Sequence, residues 1–199
     1  MRIIGLTGNI ASGKSAISYF LRTLGAEVVD MDKIGKQIQA NNYRGIIKDI
    51  EERFGKEVIK DEKIDRKRLG TIVFSDKKAL ITLNSIMIPL MTEKLLQIID
   101  ENREKGTKVL IVDAAILFEA NWDKLVDEIW VVYVPREIQI KRLIERERMS
   151  KKEALMRVNL QENVYEKIER ADIIIDNSKD LEAVKLKVLE LWKKMITSI

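Results

Sequence analysis

The 199-residue sequence contains no cysteine and no histidine. Without cysteine there is no disulfide and no thiolate nucleophile. Without either residue there is no Cys/His zinc centre and no Ser-His-Asp triad. Proton transfer must fall to Asp, Glu, Lys, Tyr or water. Proline occurs only twice, at Pro89 and Pro135, and no Pro/Gly/Ser-rich stretch marks a linker. Residues 1–199 therefore read as one domain. No stretch approaches 18 uninterrupted apolar residues, so no membrane span or membrane partner is expected. Positive charge is also scarce as a surplus: 36 Lys+Arg against 32 Asp+Glu leave +4. It is not gathered into the basic face of a nucleic-acid-binding domain, so no nucleic-acid partner is expected. Residues 1–7 run into Gly8 without a signal-peptide pattern, and a cytoplasmic location is expected. Nothing in the sequence speaks to oligomeric state.

What is present is an alternation. Short β-branched runs at residues 3–6, 27–29, 109–112, 129–134 and 173–175, most of them apolar throughout, alternate with helical patterns. Continuous apolar strands suit a parallel sheet covered by helices on both faces. Helices are predicted over 15–24, over 32–54 in two pieces broken near Asn41-Asn42, over 76–104 with a kink at Pro89, over 136–148 and over 181–196. Two charged segments, 56–75 and 147–170, fall outside the alternation and are candidates for mobile or substrate-covering pieces.

The sharpest local signal is Gly8-Asn9-Ile10-Ala11-Ser12-Gly13-Lys14-Ser15, a G-x-x-x-x-G-K-[ST] phosphate loop between a strand and a helix. Its backbone N–H groups, together with the N-terminus of the following helix through Ala16, are expected to cradle phosphates. Lys14 would reach the β- and γ-phosphates of ATP, and Ser15 would offer a hydroxyl to Mg²⁺. Ligands of a parallel sheet gather beyond the strand C-termini. Strand two ends in Val29-Asp30-Met31-Asp32 and strand three in Val112-Asp113. Asp32 is a candidate base or a helix cap; Asp30 and Asp113 are candidates for Mg²⁺ or its water, or for structural roles. Arg142 and Arg146, one helical turn apart, read as lid arginines that neutralise transferred charge, or as part of a solvated helix. Arg66, in Asp65-Arg66-Lys67-Arg68, reads as an anion contact or as part of a capped, solvated helix start. Glu119 reads as a contact to a substrate hydroxyl or as a surface carboxylate. The three tryptophans, Trp122, Trp130 and Trp192, lack nucleic-acid-stacking spacing and read as core anchors.

Taken in order along nearly the whole chain, these pieces resemble the dephospho-coenzyme A kinase family. The resemblance rests on Ile4-Gly5-Leu6-Thr7-Gly8 with Ser12-Gly13-Lys14-Ser15, and on Val29-Asp30-Met31-Asp32. It continues through Phe54-Gly55, Ile64-Asp65-Arg66, Leu117-Phe118-Glu119, Gln139 with Arg142 and Arg146, Gln161, Ala171-Asp172 and Ile175-Asp176-Asn177. It implies a P-loop NTPase fold of the nucleoside/nucleotide kinase kind: three α/β/α layers on a five-stranded parallel sheet. It implies a core over about 1–55, 105–140 and 171–199, a helical acceptor-binding region over about 56–104 and a lid over about 141–170. The implied activity is ATP-dependent phosphorylation of the ribose 3′-hydroxyl of dephospho-coenzyme A. In it Asp32 acts on that hydroxyl, Arg142 and Arg146 lie at the lid, and Asn177 lies near the adenine of ATP. The sequence departs from the family pattern at Ile88, where a His is usual, at Ala115, where a Pro is usual, and at Ala11 and Ala16, where Gly and Thr are usual. Two other readings remain: another small-molecule P-loop kinase acting on a nucleoside or nucleotide, and a nucleotide-binding regulator. A GTP-dependent switch is disfavoured, because Asn177-Ser178-Lys179-Asp180 has the wrong order for guanine recognition.

Overall fold

The computed structural model describes residues 1–159, 161 and 164–197. In chain order the elements are β1 (Arg2–Gly8), α1 (Lys14–Thr23), β2 (Glu27–Asp30), α2 (Met31–Ala40), α3 (Ile46–Phe54), β3 (Ile59–Lys60), β4 (Lys63–Ile64), α4 (Arg66–Val73) and α5 (Lys77–Glu104). There follow β5 (Val109–Asp113), β6 (Glu128–Tyr133), α6 (Arg136–Glu147), α7 (Lys151–Asn159), α8 (Val164–Glu169), β7 (Ile173–Asp176) and α9 (Leu181–Thr197). The chain forms two compact units, one of residues 1–30 with 98–199 and one of residues 31–97.

The first unit is built on a five-stranded sheet in the order β2-β5-β1-β6-β7, with every pair parallel. β1 lies at the centre, and every residue from Ile3 to Gly8 is buried. That is why its residues 3–6 carry no polar side chain, rather than alternating. Ile4, Leu6, Ile111, Trp130, Val132 and Ile175 from the strands share one core with Ile17 and Leu21 of α1 and Val184 and Val188 of α9. Trp122 and Trp130 are fully buried, and Trp192 packs partly buried against the same core. β1, β2, β5 and β7 contain the predicted runs, extended by one to three residues, and β6 is shifted by one residue, taking in Glu128 and ending before Val134.

The second unit holds α2, α3, α4, most of α5 and a small antiparallel hairpin of β3 with β4. It begins at Met31, earlier than the helical region of about 56–104 expected from the sequence. The charged segment 56–75 is ordered here as hairpin and helix. The hairpin turn is Asp61-Glu62, both left-handed (φ 50° and 59°), the geometry of a two-residue primed turn. α4 then starts at Asp65, whose carboxylate accepts from the N–H groups of Lys67 (3.1 Å) and Arg68 (3.0 Å). The capping role in this cluster belongs to Asp65, while Arg66 is exposed in the first turn.

α5 runs unbroken through Pro89, where the sequence predicts a kink or junction. A proline inside a helix costs one backbone hydrogen bond, about 3 kcal/mol. The buried stripe Met87, Met91, Leu95 and Ile99, spaced four apart, provides the compensating burial. Among the described residues α5 is the one helix long and apolar enough, by length and composition, to cross a membrane. The same stripe is the core-facing side that an amphipathic surface helix of a globular fold presents.

In this unit Arg44, held at φ 52°, donates to both oxygens of Glu93 (2.6 and 3.0 Å), and the Tyr43 hydroxyl donates to Glu93 at 3.0 Å. The Arg44 guanidinium, then the Tyr43 hydroxyl, hold the Glu93 carboxyl below its ordinary range. A depressed folded-state pKa contributes stability above the unfolded value, and that contribution disappears as pH falls through the folded value. Wild-type protein is therefore expected to lose melting temperature more steeply than Glu93→Gln between about pH 5 and pH 3. Parallel melting curves for the two proteins across that range would exclude a role for this pair.

Candidate active site

β1 delivers the chain at Gly8 to a tight loop that closes when Ser12 N–H donates to the Asn9 carbonyl (3.0 Å). A Cβ at Gly8 would lie 2.6 Å from the Val132 carbonyl of the neighbouring strand, so the close β1–β6 approach requires glycine. Gly13 caps α1 at φ 91°, and a Cβ there would collide with the Asn177 side chain. No side chain caps α1, and its first turn carries no acidic residue. Its N-terminal N–H groups and positive dipole end are thus presented to an anion rather than neutralised internally. The Ser12 hydroxyl is buried with no hydrogen-bond partner among the described residues. A buried hydroxyl at a phosphate-loop backbone fits a phosphate oxygen as partner.

Ala11 adopts φ 59°, a left-handed conformation that costs a non-glycine residue about 1–2 kcal/mol. This is one of the positions where the family pattern has Gly. Allowing for glycine's greater freedom in the unfolded chain, Ala11→Gly is expected to stabilise by about 1 kcal/mol. For a chain of this size that raises the melting temperature by about 2–4 °C. A thermal melt that is unchanged or lowered would show that the loop does not carry this strain.

Lys14 opens α1, and its ammonium forms an ion pair with the Asp113 carboxylate at the end of β5. Both side chains are largely buried, 11% and 6% exposed. Asp113 is also the register partner of Asp30 across the β2–β5 pair. The sheet thus brings two of the three candidate carboxylates to adjacent strand ends, beside the loop lysine. Asp32 follows two residues later, exposed in the first turn of α2 and so in the second unit. Ser15 and Ala16 are exposed in the first turn of α1. Among the described residues no cluster of three or more His, Cys, Asp or Glu forms a ready metal cage. Mg²⁺ does not need one: it keeps several waters and takes one or two carboxylates with substrate phosphates. The oxygen donors of Ser15, Asp30 and Asp113 fit that chemistry.

Arg142, on α6, is turned onto the loop itself. One terminal nitrogen donates to the carbonyls of Ala11 (3.2 Å) and Ser12 (3.3 Å), and the other to the Asn177 carbonyl (2.9 Å). Asn177, buried just after β7, donates from its amide to the Ser12 carbonyl at 2.7 Å. The preceding Asp176 fixes this turn: the Ser178 hydroxyl, and its N–H at 2.9 Å, hold its carboxyl below the ordinary range. Arg146, one turn beyond Arg142, is exposed. Gln161 accepts from the Ile10 N–H at 2.7 Å, which ties this side chain to the loop. A cavity of about 350 Å³ opens between these pieces, lined by Asn9, Tyr133, Arg136, Gln139, Gln161 and Tyr165 among others.

Glu119 is engaged by a residue that no sequence pattern singles out. Lys167, on α8, is 1% exposed and donates to Glu119 (3.2 Å) and to the Ala115 carbonyl (2.9 Å). Arg170 stacks over Phe118 at 3.9 Å and pairs with Asp123 at 2.8 Å. The segment after β5 is thereby fastened to α8. Lys167 sits in Glu166-Lys167-Ile168-Glu169-Arg170, a run that reads as a solvated helix, and nothing in the sequence marks it as buried.

The family model for dephospho-CoA kinase, CoaE, matches residues 2–183. A dephospho-CoA kinase of Carboxydothermus hydrogenoformans is 43% identical over 195 residues, covering 96% of this chain and 94% of that protein. Among solved structures, a dephospho-CoA kinase from Campylobacter jejuni aligns with TM-score 0.72 and 28% identity over 98% of both chains. Deoxyadenosine kinase from M. mycoides aligns with TM-score 0.55 and 15% identity over 96% of this chain and 99% of that one. That last likeness is one of fold alone. The matched range takes in the phosphate loop, the strand-end carboxylates and the turn at Asn177, and the chain belongs to the dephospho-CoA kinase family.

Proposed function

We infer that this chain is the dephospho-CoA kinase of coenzyme A synthesis, transferring the γ-phosphoryl group of ATP to the ribose 3′-hydroxyl of dephospho-coenzyme A. The observation that carries the reading is the phosphate loop on the central strand of a family-matched sheet, with an uncapped α1 and Lys14 lodged between loop and strand-end carboxylate. The acceptor oxygen forms a bond to the γ-phosphorus as the bond from that phosphorus to the β–γ bridging oxygen breaks. ADP leaves with that oxygen, and the proton of the acceptor hydroxyl passes to the Asp32 carboxylate. Lys14 exchanges its contact with Asp113 for the β- and γ-phosphates and holds their charge through the transfer. Ser15, with Asp30 or Asp113, would hold Mg²⁺, which supplies charge neutralisation on the phosphates when bound. Arg146, exposed on α6 within the proposed lid of about residues 141–170, offers its charge to the transferred group. Arg66 and Glu119 are the proposed acceptor contacts, Glu119 being positioned by Lys167. Residues 1–199 would act as one kinase, with the lid and the helical region serving the core.

The test is turnover. Pure protein is incubated with ATP, Mg²⁺ and, separately, dephospho-coenzyme A, adenosine and nucleoside monophosphates, and products are separated by chromatography. Coenzyme A and ADP in equal amounts are expected. Turnover of another acceptor, with none of dephospho-coenzyme A, would overturn the reading.

A further inference from the structure

We propose that Arg142 and Asn177 form a strut that sets the phosphate loop from behind, as positioning residues acting through the loop backbone. The proposal deepens the nucleotide-site reading above and needs only that the loop binds phosphate, not that the acceptor is dephospho-coenzyme A.

The geometry is a closed circuit. The Ser12 carbonyl accepts from Asn177 at 2.7 Å and from Arg142 at 3.3 Å. Arg142 also reaches the Ala11 carbonyl at 3.2 Å and returns to the Asn177 backbone carbonyl at 2.9 Å. Two donors from separate elements, α6 and the turn after β7, thus converge on one carbonyl. In a trans peptide the carbonyl of one residue and the N–H of the next point in opposite directions. Drawing the Ser12 carbonyl toward Arg142 and Asn177 therefore aims the Gly13 N–H the other way, to the side where the uncapped α1 presents its first turn. The neighbouring N–H, that of Ser12, is closed onto the Asn9 carbonyl at 3.0 Å. Gly13 belongs to the same assembly: it takes φ 91°, and any Cβ would run into the Asn177 amide. The loop glycine and the asparagine are packed as one unit.

Both Asn177 and the guanidinium of Arg142 are committed to backbone carbonyls. A lysine has its three donors on one nitrogen, where two separate nitrogens of the planar guanidinium span three acceptors. The strut therefore depends on shape and not merely on charge.

The test compares wild type, Arg142→Lys and Asn177→Asp by calorimetric titration with pyrophosphate and with ADP, in the absence of any acceptor. Pyrophosphate probes the loop without a nucleoside. Each variant is expected to lose about tenfold in affinity, the size of a lost hydrogen bond to a charged or buried partner. The loss should be equal for pyrophosphate and ADP. The double variant should lose about as much as either single one, because the two residues serve one circuit. Loss of ADP affinity with pyrophosphate affinity intact would show that the residues touch the nucleoside, and would overturn the proposal. Unchanged affinity for both ligands would overturn it as well. A melting curve for each variant identifies any that fails to fold, and the other variant then decides. Because no acceptor is present, failure here leaves the activity to be decided separately by the dephospho-coenzyme A assay.

Discussion

Asp32→Asn is expected to lower kcat by about 10²–10⁴-fold, the range of a lost general base, while ATP affinity stays within about twofold. The two roles open to Asp32 make opposite predictions. As a first-turn acidic residue of α2 it interacts with the helix dipole, a contribution of about 0.3–1 kcal/mol. If that were its whole role, Asp32→Asn would cost a little melting temperature and leave turnover intact. If it takes the acceptor proton, stability barely changes and kcat collapses. Exposure favours the second reading, since an exposed dipole contact is screened by solvent and salt. Steady-state kinetics, nucleotide titration and a melt on one preparation separate the cases. A full-rate Asp32→Asn enzyme would remove Asp32 from the chemistry.

The parts legible in the sequence are those whose physics is local. A strand buried on both faces must be continuously apolar, so residues 3–6, 109–112 and 129–134 announced the sheet. A phosphate loop is a backbone device, so its spacing survives in the sequence even with Ala11 in a left-handed site that would suit glycine better. Strand-end acids are legible once the loop fixes which sheet edge is used, and Asp30 and Asp113 do meet across one strand pair. What escaped is non-local. The Asp61-Glu62 turn has neither the glycine nor the asparagine that usually signals such a hairpin. Lys167 is buried because the Ala115 carbonyl and Glu119, about 50 residues earlier in the chain, supply its partners, and α8 alone cannot reveal that. Arg142 reads as a lid arginine or as part of a solvated helix because arginine spacing on a helix shows direction but not destination; three backbone carbonyls lie where it ends. The helical unit begins at Met31 without any change in composition, since α2 and α3 are as amphipathic as the helices on the sheet. At Pro89 the local cost is real, and α5 continues through it with the buried stripe Met87, Met91, Leu95 and Ile99 alongside.

Lys14→Ala should combine the loss of a phosphate contact with damage to the fold, and the two can be separated. Removing a preorganised cation from developing phosphoryl charge is expected to lower kcat by about 10²–10³-fold and to weaken ATP binding. Removing it also strands Asp113, whose side chain is 6% exposed and whose carboxylate pairs with Lys14. Breaking a buried pair from one side leaves an uncompensated charge and costs about 3–5 kcal/mol. Lys14→Ala should therefore unfold at markedly lower urea than wild type. Adding Asp113→Asn removes the stranded charge, so Lys14→Ala/Asp113→Asn should regain most of the lost stability, to within about 1 kcal/mol of the Asp113→Asn single variant. It should regain none of the activity, because no cation returns to the phosphates. Recovery of stability without recovery of turnover separates the two tasks of Lys14, structural partner to Asp113 and electrostatic partner to the transferred group. Recovery of turnover in the double variant would mean that Lys14 acts only by neutralising Asp113, and the phosphate contact would have to be withdrawn. A double variant no more stable than Lys14→Ala would instead show that the carboxylate finds other compensation among its neighbours, and the ion pair would lose its structural role.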